Sequence, residues 1–78
     1  MARLRLFAQA REAAGTGRIE VADGTVESVL REAQATFGDQ FAAVVAASQV
    51  WVNGTPADGS TPVGPDDELA VLPPVSGG

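Results

Sequence analysis

The last two residues of the chain, Gly77-Gly78, carry the chemistry most available to it, a carboxylate on a thread without side chains. With no Cβ to obstruct it, such a thread can pass down a narrow channel into the active site of another protein. Pro73-Pro74 lie just upstream and donate no backbone hydrogen bonds, so a sheet stops there and the backbone stays extended. From Pro73 to Gly78 an extended chain reaches roughly 20 Å, at about 3.3 Å per residue. The expectation is a flexible tail over residues 73–78 whose reacting atom is the Gly78 carboxyl carbon. Gly77 and Ser76 give it access. Ser76 has no base near it in sequence, which makes it a slim spacer and not a nucleophile. The bland alternative is a small terminus that simply frays.

The rest of the composition excludes most other chemistry. The 78 residues contain no cysteine, histidine, tyrosine or lysine, so Cys–His pairs, Ser–His–Asp relays and Schiff-base lysines are impossible. The soft zinc ligands are missing too, and neither a metal site nor a bound cofactor is expected. Five arginines stand against ten acids, a net charge of −5 that would repel nucleic acid. No apolar run approaches the roughly 20 residues of a membrane span, and the N-terminal segment breaks too early for a signal peptide. A cytoplasmic, non-enzymatic protein is expected. With 45% apolar and 19% charged residues the chain should fold, as one small domain whose core is too thin to hide a deep cleft.

The elements that must hold the tail follow from periodicity. Arg3 to Ala8 alternates, with Leu4, Leu6 and Ala8 on one face and Arg3, Arg5 and Phe7 on the other. Gln9 to Gly17 reads as a polar, alanine-rich connection, and Arg18 to Ala22 alternates again through Ile19 and Val21, which suggests a hairpin. Thr25 is a good helix N-cap, and Val26, Val29, Leu30, Ala33 and Phe37 form one apolar stripe up to a left-handed C-cap at Gly38. Asp39 is placed to cap a short second helical turn that gathers Phe41, Val44 and Val45. Gln49 to Asn53 reads as a strand ending in the hairpin dipeptide Asn53-Gly54. A short edge strand follows within Thr55–Val63, then a turn at Pro65-Asp66-Asp67 and a last strand from Glu68 to Leu72. The order β-β-α-β-(β)-β predicts an α+β roll of the β-grasp type, a four- or five-stranded mixed sheet on one main helix. Residues 1–72 form the domain and 73–78 the tail.

Several segments together carry a resemblance. Phe7-Ala8-Gln9-Ala10-Arg11-Glu12-Ala13-Ala14-Gly15 resembles the Phe-Ala-x-x-Arg-Glu-x-x-Gly signature of the molybdopterin synthase small subunit, a ubiquitin-like sulfur carrier of the MoaD/ThiS type. The helix start Thr25-Val26-Glu27 and the stretch from Asp67 through Pro73-Pro74-Val75-Ser76-Gly77-Gly78 look like the same family, in the same order. One departure is visible. The family often has Gly-Asp-Glu before the last strand, where this chain has Asp66-Asp67-Glu68, which questions the turn geometry.

The resemblance implies that an enzyme like the ubiquitin E1 adenylates Gly78 with ATP, and that a donor protein then supplies sulfur. The product is a thiocarboxylate, a 1-thioglycine at Gly78. The large synthase subunit, in a heterotetramer, would bind the tail and pass the sulfur to a cyclic pyranopterin precursor of the molybdenum cofactor. Sulfur carriage for thiamin or cysteine synthesis, a ubiquitin-like modifier joined to lysines, and a plain structural module are the alternatives. Arg11 would order its loop or meet a partner, although exposed arginines are mostly solvated surface. Pro73, Pro74 and Val75 would run along the partner. Phe7, Trp51 and Leu72 share the sheet face opposite the helix and, in β-grasp strand order, form a docking patch. Scattered exposed apolar residues are the competing reading.

Overall fold

In the computed structural model, which describes residues 1–74, strand β1 (Ala2–Leu6) buries Ala2, Leu4 and Leu6 and exposes Arg3 and Arg5. It pairs antiparallel with β2 (Arg18–Val21), setting Leu4 against Ile19 and Arg5 against Arg18. The hairpin is present, but its connection is not the polar loop expected from Gln9 to Gly17. Ala8–Ala14 form helix α1, closed by Gly15 at φ 77° and ψ 10°, whose N–H donates to the Arg11 carbonyl. Composition explains it: alanine is the best helix former, and glutamine, arginine and glutamate follow closely. The start was hidden because Phe7 precedes the helix in extended geometry and offers no side-chain cap. Ala8 therefore leaves the inner strand face that alternation assigns it. It is exposed, with φ 50° where the chain turns, and Ala10 is buried instead.

A two-residue strand, β3 (Gly24–Thr25), leads into the main helix α2 (Val26–Phe37). Thr25 caps it as expected, and Ser28 completes a capping box. The Ser28 N–H donates to Thr25 Oγ1 at 3.2 Å, and the Thr25 N–H to Ser28 Oγ at 2.9 Å. Val26, Val29 and Ala33 are buried, whereas Leu30 and Phe37 lie half-buried at the edge of the stripe. Gly38 follows with φ 95° and ψ −172°. This is a positive-φ glycine position but not the left-handed helical cap expected there. It also caps the next helix, α3 (Asp39–Ala46), so Asp39 is the first helical residue and not the cap. Phe41 and Val45 of α3 are buried, and the Phe37 and Phe41 rings meet at 5.1 Å between centroids.

Strand β4 (Gln49–Val52) turns through Asn53 (φ 52°) and Gly54 (φ 80°) into β5 (Thr55–Pro56). These angles suit a tight hairpin turn. Next come β6 (Pro62–Val63), which pairs with β3 in a separate two-stranded sheet, and β7 (Glu68–Leu72). Asp66 needs no left-handed conformation. Among the described residues only Ala8 and Asn53 are non-glycines with positive φ.

The main sheet runs β2-β1-β7-β4-β5, with β7 parallel to β1 and antiparallel to β4. This is the ubiquitin-like β-grasp expected, with two shorter helices added to the main one. Leu4, Leu6, Leu69 and Val71 are buried with Val26, Val29, Ala33 and Phe41 in one core. The last strand lies at the centre of the sheet and leads straight into Pro73.

Candidate functional site

The face of the sheet away from the core is built by the register. Arg18, Arg5, Ala70, Trp51 and Pro56 stand in one row across β2, β1, β7, β4 and β5. A second row sets Glu20, Arg3 and Glu68 side by side, and Leu72 pairs with Gln49. Phe7 extends β1 by one residue at φ −125° and ψ 154°, one step past the Leu6–Val71 pair. Alternation therefore puts Phe7 beside Leu72, and Leu72 lies diagonally across from Trp51, a spacing within reach of large side chains. All three are half-buried. The Trp51 indole N–H donates to Gln49 Oε1 at 3.5 Å, and the Arg5 guanidinium lies 5.1 Å over the Phe7 ring.

Arg11 does not join this row. It sits on α1 with its stem across Gly17, where a Cβ would come within 3.4 Å of Arg11 Nε. There it lines a hollow of about 450 Å³ together with Arg5, Phe7, Thr16 and Arg18. Arg5 and Arg18 were not among the candidates drawn from the sequence. Their signal was the hairpin register, which a one-residue shift would have erased.

Pro73 and Pro74 leave the sheet on the other side of α1. Pro73 is buried and Pro74 exposed, and both border a hollow of about 410 Å³ lined by Gln9 of α1 and by Gln40, Ala43, Val44 and Ala47 of α3. Val75, Ser76, Gly77 and Gly78 lie outside the described residues.

The turn that feeds β7 is fixed by polar contacts. Asp67 Oδ2 accepts from the Gly64 N–H at 2.7 Å and Oδ1 from the Asn53 amide at 2.8 Å, and these bonds hold its carboxyl below the usual carboxylate range. Asn53 Oδ1 in turn accepts from the Glu68 N–H at 3.0 Å. Ser60 does the same for Asp58, through its hydroxyl at 2.6 Å and its N–H at 2.9 Å. Both acids order loops and neither faces the tail exit. Among the described residues no cluster of acids could hold a metal ion, and no helix is long and apolar enough to cross a membrane.

Solved structures place this geometry among known proteins. SAMP1 from Haloferax volcanii, a small archaeal modifier protein, is 30% identical, with 99% of this chain and 98% of that one covered and a TM-score of 0.77. A putative molybdopterin converting factor subunit 1 from Pyrococcus furiosus is 25% identical over 95% of this chain and 97% of that one, at a TM-score of 0.78. The matching chain of the Amycolatopsis orientalis BexX/CysO complex is 20% identical over 100% of both chains and shows the shared fold at a TM-score of 0.83. Comparison with curated protein sequences gives no significant match. The model of the ThiS family matches residues 4–78, nearly the whole length. This chain, a small ubiquitin-like sulfur carrier, belongs to the ThiS family.

Proposed function

We propose that the chain is the sulfur-donating small subunit of a molybdopterin synthase, acting through its terminal carboxylate in the cytoplasm. The observation that carries this is the Pro73-Pro74-Val75-Ser76-Gly77-Gly78 ending on the central strand β7, in a chain that also has the Arg11-Glu12 signature. The likeness to the Pyrococcus furiosus converting factor subunit supports it.

A carboxylate is a poor electrophile because its charge is delocalised and oxide is a poor leaving group. An E1-like partner therefore joins the Gly78 carboxylate to the AMP moiety of ATP, with pyrophosphate leaving. Sulfur at the sulfide level, supplied by a donor protein, displaces AMP and leaves a thiocarboxylate. That sulfur is anionic at neutral pH and needs no base on this chain to attack the pyranopterin precursor. A large subunit docks on the Phe7–Leu72–Trp51 face and receives residues 73–78. The BexX/CysO complex, in which a chain of this fold sits with a second protein, supports such a partner.

A second reading is favoured by the 30% identity to SAMP1: a modifier joined through Gly78 to lysines of target proteins. The chain has no lysine, so it could not form chains on itself. Intact-mass spectrometry tests the first reading. Incubated with activating enzyme, ATP and sulfur donor, the chain should gain the mass of sulfur replacing oxygen, and deletion of Gly78 should abolish the gain. Equal gain in the truncated chain, or none in the full chain beside an active partner, would refute it. Adducts to lysines of other proteins with no sulfur gain would favour the modifier.

A further inference from the structure

Opposite charges face each other in one row of the β1–β2 hairpin, where Arg3 is paired with Glu20, but two residues along Arg5 is paired with Arg18. Like charges directly opposed in an antiparallel pair are destabilising. This pair occurs in a chain with twice as many acids as arginines. Arg11 joins them from α1 in the hollow of about 450 Å³, and none of the described residues lining it is acidic. Arg5 has only a long contact to Glu68, at 3.8 Å, and among the described residues neither Arg11 nor Arg18 has a carboxylate within ion-pair distance.

We propose that this hollow binds an acidic segment of a partner protein, its carboxylates held by Arg5, Arg11 and Arg18. Two of the three guanidiniums are already placed. Arg5 rests on the Phe7 ring, and the Arg11 stem is laid across Gly17, which has no side chain to displace it. Arginine suits the task because its planar fork grips a carboxylate through two parallel hydrogen bonds. All three side chains are exposed, so a small free anion would keep much of its hydration. A polypeptide gains more, since Phe7 belongs both to this hollow and to the apolar face beside Leu72. A segment seated on Phe7 reaches the arginines without leaving the protein surface. The identity of the partner as the large subunit rests on the function proposed above; the acidic chemistry of the segment does not.

The test is an NMR titration of the full-length chain, reading the Nε–Hε signals of its arginines. The probes are a hexaglutamate peptide, a hexaglutamine peptide and inorganic phosphate. Hexaglutamate should shift the signals of Arg5, Arg11 and Arg18 and leave Arg31 unmoved, since Arg31 is already paired with Glu27 at 2.7 Å. A net charge of −5 repels that peptide elsewhere, so selective binding would be informative. Raising the salt from about 0.05 M to about 0.5 M should weaken it by screening. Arg11→Gln and Arg18→Gln, both at exposed sites and checked for folding by circular dichroism, should each weaken it roughly three- to tenfold. No shift up to millimolar peptide, equal shifts at Arg31, equal binding of hexaglutamine, or phosphate binding as tightly as hexaglutamate would each overturn the proposal. Sulfur loading of Gly78 is read separately by mass, so either idea can fail alone.

Discussion

The Gly64 N–H and the Asn53 amide both donate to the carboxylate of Asp67 and favour its ionised form in the fold. Its folded pKa is depressed, so it contributes stability above the unfolded value, and that contribution is lost as the pH falls through the folded one. Asp58 adds to the same acid limb. The wild-type urea midpoint should therefore drop as the pH is lowered below about 4. Asp67→Asn should start lower at neutral pH and decline less steeply; parallel curves would refute the assignment. In the core, Phe41 is fully buried, and Phe41→Ala should cost about 3–5 kcal/mol. Leu30 is only half-buried at the edge of the α2 stripe, so Leu30→Ala should cost less, below about 2 kcal/mol in chemical denaturation.

At the scale of elements, helix α1 carries the clearest local conflict. Ala8 starts it at φ 50°, a region that costs an L-residue roughly 1–2 kcal/mol. Ala8→Gly should raise stability by up to about 1 kcal/mol despite the extra freedom of its unfolded chain, as a higher urea midpoint would show. The same residue marks where periodicity lost the chain. Alternation through Leu4 and Leu6 extended the strand one step too far, and a helix without a polar cap left no signal at its start. Elements with punctuation at both ends were legible: α2 between Thr25 and Gly38, β4 before Asn53-Gly54, β7 between Asp67 and Pro73. The apolar face of the candidate site followed from parity together with the β-grasp strand order. The arginine hollow did not, because it depends on how Arg11 of α1 lies across Gly17, a contact between segments that no single period encodes.

For the molecule as a whole, the proposed docking face and the tail meet where β7 ends at Leu72, and binding should depend on both. Phe7→Ala and Trp51→Ala each remove a half-buried aromatic from the outer face without touching the core. Each should weaken binding to the proposed large subunit by roughly 1–2 kcal/mol in calorimetry, with unchanged circular dichroism. Unaltered affinity in both would move the interface elsewhere.

The tail also continues from a strand hydrogen-bonded on both sides, with β1 parallel to it and β4 antiparallel. A pull on the residues beyond Leu72 while the body is held runs along β7. It loads the hydrogen bonds of both neighbours in shear, so they must break together and not one by one as in a hairpin peeled from its end. Tension applied along β7 therefore meets more resistance than tension that peels the edge strand. The same force applied through β5, the edge strand, would peel Thr55 and Pro56 from β4 sequentially. The domain is thus mechanically anisotropic, more resistant along its central strand than at its edge.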